Sequence, residues 1–288
     1  MSVNGLTPKE LIDASPDLGS PPIVYNRLME VINHPRGGAG DVANVIREDT
    51  ALTARLLKLV NSAFFAFPKK IETVSQAVSV VGTSQVRDLA LATTVTDLFQ
   101  GVPEDILNVE DFWRHSLGCG VAARVIAGMK KEANVERYFV LGILHDVGRL
   151  VLLLRAPDVM SGVFQQAREK GRWVYEVERE VLGFDHGRVG AELMKRWNMP
   201  DALQEALGLH HDPVKAQRYP AEAAMMHVGD IMANALQLGS SGESYVPQIS
   251  NGAWSKLAID PSMMSFAVDE IDRQYGAAVQ LLDLATGA

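Results

Sequence analysis

The chain has one cysteine, Cys119, in 288 residues, so no intrachain disulfide can form, which fits a reducing compartment. Cys119 lies between small residues on an apolar stretch and reads as a packed thiol rather than a nucleophile. No apolar run is long enough to cross a bilayer. The opening MSVNGLTPKE lacks the basic start and apolar stretch of a secretory signal. A cytoplasmic protein with no membrane contact is expected. Clustered basic charge is also missing. The net charge is −8, the isoelectric point is about 5.4, and the densest basic spots are Pro68-Lys69-Lys70 and Lys130-Lys131. A duplex-binding surface needs more than these solvated helix ends, so no direct nucleic-acid contact is expected. No segment alternates convincingly in the period of a strand, and no repeat is visible.

What is present is helical periodicity. Leu52, Leu56, Leu57 and Val60 recur at three- and four-residue steps, as do Val86, Leu89, Ala90 and Thr93. Thr7-Pro8-Lys9-Glu10 is a capping box with proline at the first helical position, and Thr73 to Gln76 is another. Pro35, Gly37 and Gly38 end a helix that starts near Pro22, and Gly82 ends the short helix after Thr73. The fold class is therefore all-α. With 47% hydrophobic residues the chain can bury one large core or two smaller ones. A boundary near Gly101-Val102-Pro103-Glu104 separates a helical N-terminal lobe, 1–105, from a second helical lobe, 106–236. The stretch Leu238 to Gly252 is rich in Gly and Ser and reads as a loop or linker. A helical tail closes the third segment, 237–288.

Chemistry concentrates in the run from Tyr138 to Leu154, YFVLGILHDVGRLVLLL. Apart from Arg149, the pair His145-Asp146 is its only strongly polar feature. A carboxylate in such a segment costs several kcal/mol unless its charge is compensated. Arg149, backbone donors or a divalent metal can do this, and His beside Asp is a natural start for a metal site. The alternative is a hydrogen-bonded core pair. Further donors lie in DFWRHS (His115), GFDH (His186), GLHHDP (His210, His211) and MMHVGD (Asp230). Adjacent helical residues point about 100° apart, so His145 and Asp146 can share a site only if the helix breaks there, as Gly148 allows. Asp185 reads as the N-cap of the His186 helix. His210 and His211 end a helix opened at Pro200, a position the helix dipole alone favours for histidine. His227, one turn before Asp230, reads as packing or as a hydrogen-bonded support. Asp111, one turn before His115 on the same face, is a carboxylate the helix dipole favours.

The order His115, His145-Asp146, His186, His210-His211, Asp230 resembles the HD superfamily of metal-dependent phosphohydrolases. The segments SPPIVYNRLMEVINHP, DVANVIREDTALTARLLKLVNSAFF and VSQAVSVVGTSQVRDLALAT narrow this to a resemblance to HDOD, the HD-related output domain of bacterial signalling proteins. It runs from about Leu18 to about Ala235, and VNSAFF and LGILHDVGRLVL are its most specific parts. The resemblance implies a helical N-terminal lobe packed on an HD-like lobe. It also implies metal ligation by His115, His145, Asp146, His186, His210, His211 and Asp230, with Asp111 as an added ligand in the two-metal arrangement. One or two divalent ions (Fe, Mn, Ni or Zn) suit mixed imidazole and carboxylate donors. Arg149 stands where many two-metal members carry a lysine near substrate phosphate. It can hold a phosphate bidentately, or simply neutralise Asp146. Asp146 and Arg149 are the catalytic candidates.

Two functions follow as expectations. One is a signalling output module whose partners are signalling proteins or a phosphate-containing small molecule. The other is a metal-dependent phosphohydrolase acting on a nucleotide or cyclic dinucleotide. After His210-His211 the chain reads DPVKAQRYP and lacks the GYP signature of HD-GYP cyclic-di-GMP phosphodiesterases, so that substrate is not expected. A third reading is a metal-free helical scaffold.

Overall fold

The computed structural model describes residues 5, 7–62, 65 and 67–285. Ala63 and Phe64 of the VNSAFF stretch lie outside the described residues. The described residues are all-α, with no strand among them. The helices run α1 (Pro8–Asp13), α2 (Ile23–Asn33), α3 (Ala39–Arg47), α4 (Thr50–Val60), α5 (Val74–Val81) and α6 (Thr83–Thr94). They continue as α7 (Val109–Met129), α8 (Glu136–Leu144), α9 (Val147–Arg155), α10 (Pro157–Lys170), α11 (Val174–Leu182) and α12 (His186–Arg196). The last are α13 (Asp201–Leu209), α14 (Pro220–Ala235), α15 (Asn251–Leu257) and α16 (Met264–Ala285). Both capping boxes form. Thr7 and Thr73 accept from the backbone N–H of Glu10 and Gln76, whose side chains reach back. Gly82 closes α5 with φ of 101°, where a side chain would be strained.

The chain divides into two compact units, residues 1–19 with 99–267, and residues 20–98 with 268–288. This division differs from one drawn at 105/106 and 236/237. Leu11 and Ile12 of α1 are buried, the indole of Trp197 donates to the Leu18 carbonyl at 2.8 Å, and Arg155 donates to Ser15 at 2.8 Å. These bonds tie residues 1–19 to the later part of the chain. In the 20–98 unit, α2 to α6 bury Leu28, Ile46, Leu52, Leu56, Val86 and Leu89. The Asn61 side chain brackets the backbone of Ile71, donating to its carbonyl and accepting from its N–H at 2.7 Å each, which fixes the approach to α5.

The other unit is organised on α7, whose residues are mostly buried because α8 and α14 pack on it. Small residues set the approach. A Cβ on Gly142 of α8 would lie 2.1 Å from the Gly120 backbone nitrogen on α7. A Cβ on Gly148 of α9 would lie 2.0 Å from the His186 carbonyl oxygen on α12. No side chain fits at either point, and each contact brings two of the donor-bearing segments together. The break between His145 and Asp146 does not come from Gly148, which lies inside α9. Helix α8 ends at Leu144, and Asp146 leaves helical geometry with φ −102° and ψ 5° before α9 begins.

Replacing Gly142 by Ala forces the α7–α8 crossing apart and should cost about 1–3 kcal/mol or more, read as a drop in thermal midpoint of several degrees. Gly162, in α10, has nothing within 4 Å of its would-be Cβ. Gly162→Ala should instead raise stability by about 0.5–1 kcal/mol. Equal midpoints for the two variants would show that the crossing is not tight.

Candidate metal centre

Four helices and the break between α8 and α9 deliver the candidate donors. His115 and Cys119 lie one turn apart on α7, and His145 and Asp146 occupy the break. His186 opens α12 behind its N-cap Asp185, whose carboxylate accepts from the Arg188 N–H at 3.0 Å. His210 and His211 follow the end of α13, and Asp230 lies on α14. All seven donors expected from the sequence converge, and Cys119 joins them. They form two adjoining groups: His115, Cys119, His145 and Asp230; and Asp146, His186, His210 and His211. Within each group one ligand atom per residue lies within 4.8 Å of the others.

In the first group His115 Nε2 lies 3.2 Å and His145 Nε2 3.8 Å from Asp230 Oδ1. In the second, Asp146 Oδ1 lies 2.8 Å from His186 Nε2 and 3.6 Å from His210 Nε2, and His211 Nε2 lies 2.9 Å from His186 Nε2. His145 Nε2 joins the groups, 3.3 Å from Asp146 Oδ1. All these residues are buried except His211, which is half-buried.

The far ring nitrogens set the orientation. His145 Nδ1 lies 2.7 Å from the Gly142 carbonyl, and His210 Nδ1 2.7 Å from that of Leu207. A carbonyl only accepts, so each Nδ1 carries a proton and each Nε2 is the nitrogen turned to the cluster and able to ligate an ion. His186 Nδ1 sits 2.6 Å from Glu178, which also accepts from the His186 N–H at 2.9 Å. Asp146 Oδ1 and His210 Nε2 are buried without any well-aligned hydrogen bond, the short approach of His186 included.

Burial works against the charge of Asp146, but Arg149, then His145 and His186, outweigh it and hold the carboxyl well below the usual range. Asp230 is likewise burdened by burial, yet its contact with His115 and the nearby His145 bring it to about 2. Burial and Arg149 act against a proton on His186, and Glu178 and Asp146 overcome them, raising it to about 10. His210 moves the other way, to about 4, through burial and then the neighbouring His145 and His186. The result is an ionised acidic centre that draws in cations or protons.

Arg149 is only 1% exposed and is surrounded by protein groups, although its Nε has no hydrogen-bond partner. It donates to the Ser241 carbonyl at 2.6 Å and hydroxyl at 2.8 Å, and lies 3.5 Å from both Asp146 and Glu243. Ser241 and Glu243 belong to the Gly- and Ser-rich stretch. It is irregular, as expected, but it is bound to the body rather than spanning as a linker. Ser240 N–H donates to the Asp111 carbonyl, Glu243 accepts from the Val174 N–H, Trp173 donates to the Val246 carbonyl, and Ser250 N–H donates to His227 Nε2. Burial raises the Glu243 carboxyl to about 7.

Asp111 and His227 stand outside both groups. The Asp111 side chain is 48% exposed and faces Arg114. His227 Nδ1 lies 2.7 Å from the His210 carbonyl and so steadies His210 rather than Asp230. Sequence reasoning missed Glu178, Ser241 and Glu243. It also placed Cys119 in plain packing, although a position four residues after His115 puts it on the same helix face.

The HDOD domain profile matches residues 18–213. The chain belongs to the HDOD family. An HDOD domain protein of unknown function from Geobacter sulfurreducens is similar in structure, with 26% identity, 93% of this chain and 91% of that one covered, and a TM-score of 0.68. A candidate signal transduction protein from Marinobacter aquaeolei VT8 shares the fold at 21% identity and TM-score 0.71, over 93% of this chain and 60% of that one. A candidate metal-dependent phosphohydrolase from Shewanella amazonensis SB2B shares it at 18% identity and TM-score 0.66, over 94% and 99%. An uncharacterized protein of Treponema pallidum (strain Nichols) is 25% identical over 195 residues, 66% of this chain; the match spans 37% of that relative. Among the described residues no helix is long and apolar enough to cross a membrane.

Removing Glu178 leaves the His186 Nδ1–H and N–H buried without an acceptor. Glu178→Ala should cost about 1–3 kcal/mol of stability and lower divalent-metal affinity by about 10–100-fold, checked by thermal melts and chelator competition. Metal uptake must displace the proton that His186 holds up to about pH 10. Affinity should therefore rise with pH between about 6 and 9, with measurable proton release on binding. Affinity independent of pH would mean that His186 does not bind metal.

Proposed function

We propose that this chain is a signal-transduction output module whose HDOD domain retains a divalent-metal centre. His115, His145 and Asp230 hold one ion, and Asp146, His186, His210 and His211 provide for a second. Fe, Mn, Ni or Zn suits such donors. The observation that carries the reading is the convergence of two buried carboxylates on one imidazole nitrogen, His145 Nε2, at 3.3 and 3.8 Å. Among the described residues Arg149 is the guanidinium paired with a carboxylate of the cluster, and of Asp146 and Asp230 it pairs with Asp146. A cation is the economical compensation for the rest.

Regulation rather than turnover is favoured by Arg149. Its Nη1 donates to Ser241, its Nε lies buried with no hydrogen-bond partner, and its charge faces Asp146, Glu178 and Glu243. In this state it is not free to hold a substrate phosphate. The module then acts through its surface on signalling proteins, or responds to a phosphate-containing small molecule that frees Arg149.

The second reading, a phosphohydrolase, is favoured by the adjoining donor groups. A pair of cations would supply Lewis-acid activation of a phosphoester. Phosphohydrolase descriptions of structural neighbours agree with it. In that case Arg149 would exchange Glu243 for the phosphate, and Asp146, fixed between His145 and His186, would orient the reacting centre.

Elemental analysis of protein purified without added ions should give on the order of one to two ions per chain, and less than about 0.1 would sink the metal centre. Incubation with phosphomonoesters and cyclic dinucleotides in the presence of Mn or Fe should give no turnover. Hydrolysis by the wild type that Asp146→Ala abolishes would replace the regulatory reading with the enzymatic one.

A further inference from the structure

We propose that Cys119 is itself a metal ligand, its thiolate completing with His115 Nε2, His145 Nε2 and Asp230 Oδ1 a four-donor cradle for one ion. The proposal rests on the metal-centre reading and deepens it by giving that centre a sulfur donor and a preference among metals.

The four donor atoms are spaced as in a coordination shell. Sγ lies 3.3 Å from His115 Nε2, 3.9 Å from His145 Nε2 and 3.8 Å from Asp230 Oδ1. Donors about a tetrahedral ion with bonds of about 2.0–2.3 Å stand about 3.3–3.8 Å apart. The pairs measured among these four atoms, from 3.2 to 3.9 Å, bracket that separation. A thiol packed for its bulk would face methyl groups. This one faces two imidazole nitrogens and a carboxylate, and is fully buried with them.

Proton counting agrees. His145 Nδ1 carries a proton towards Gly142, so Nε2 is the nitrogen that can turn an electron pair to an ion. Asp230 Oδ1 already accepts from Asn234 at 2.8 Å and still faces His115. One S–H proton cannot serve both His145 and Asp230. Beside them Asp146 Oδ1, 3.3 Å from His145 Nε2 and 2.8 Å from His186 Nε2, makes no well-aligned hydrogen bond and points into the same cluster. His145 Nε2, Asp230 Oδ1 and Cys119 Sγ therefore converge on one point with too few protons to bridge every pair, and a cation there would bind them together.

Before metal arrives the sulfur is a thiol, since burial and then Asp230 and Asp146 push its ionisation well above the ordinary range. On binding, the S–H bond breaks, a sulfur–metal bond forms, and the proton leaves to solvent. One thiolate among two imidazoles and a carboxylate shifts preference from Mn towards Zn, Fe and Co. The second donor group has no sulfur, so the two positions are chemically unequal.

The test is to load the metal-free full chain with Co(II) and record its absorption, then load it with Zn(II) and measure X-ray absorption at the zinc edge. A thiolate-to-cobalt charge-transfer band and a sulfur shell at about 2.3 Å are expected. Cys119 is the only cysteine, so a thiolate signal has one source. Cys119→Ser should lose the band and reduce the preference for Zn over Mn at least about tenfold. Stoichiometric ions with only nitrogen and oxygen neighbours would overturn the ligand role of Cys119 and leave the metal centre standing. Failure of the wild type to bind either ion would overturn both. The wild-type spectra decide even if the variant fails to fold.

Discussion

Charge that has nowhere else to go governs this protein's interior. Asp146 and Asp230 are ionised, buried, and gathered around one imidazole nitrogen. Two such carboxylates would be prohibitive in an apolar core without compensation. The neighbourhood answers unevenly. Asp146 has Arg149 at 3.5 Å and the charged His186 at 2.8 Å, whereas Asp230 has His115 and the neutral amide of Asn234. The Asp230 side is thus poorer in fixed positive charge, and it is the side on which Cys119 lies.

Bringing those groups together is a backbone problem before it is a side-chain problem. Donors on separate helices reach a common point only if the helices nearly touch. Gly142 against Gly120, and Gly148 against the His186 carbonyl, provide that approach. The break at Asp146 supplies the remaining degree of freedom. On an unbroken helix His145 and Asp146 would diverge, whereas here their reactive atoms stand 3.3 Å apart. The glycines and the break therefore belong to the centre as much as its donors do.

Much of this was legible in the sequence because polar residues in apolar helices carry their own explanation. His145, Asp146 and Asp230 stand out against their neighbours, Asp185 announces the helix that presents His186, and Thr7 and Thr73 mark helix starts where they form. Other features left no such trace. Glu178 lies in VYEVEREVL among other charged residues, and only its partners distinguish it. Ser241 reaches Arg149 largely through its carbonyl, a group every residue has. The attachment of residues 1–19 depends on Trp197 and Arg155, 179 and 140 positions from their partners, and no local period encodes such distances. Gly148 was read as a helix breaker because sequence shows that a residue is small, not what it is small against.

The bound stretch from Leu238 to Ser250 has a kinetic consequence. It is held by hydrogen bonds to α7, α9 and α14, and to residues 173 and 174 at the start of α11, and it caps the one guanidinium beside the cluster. An ion enclosed beneath it can trade with the surrounding solution only as fast as several of those bonds open together. Occupancy would then keep a memory of the metals present as the chain folded, and respond slowly to those it met later.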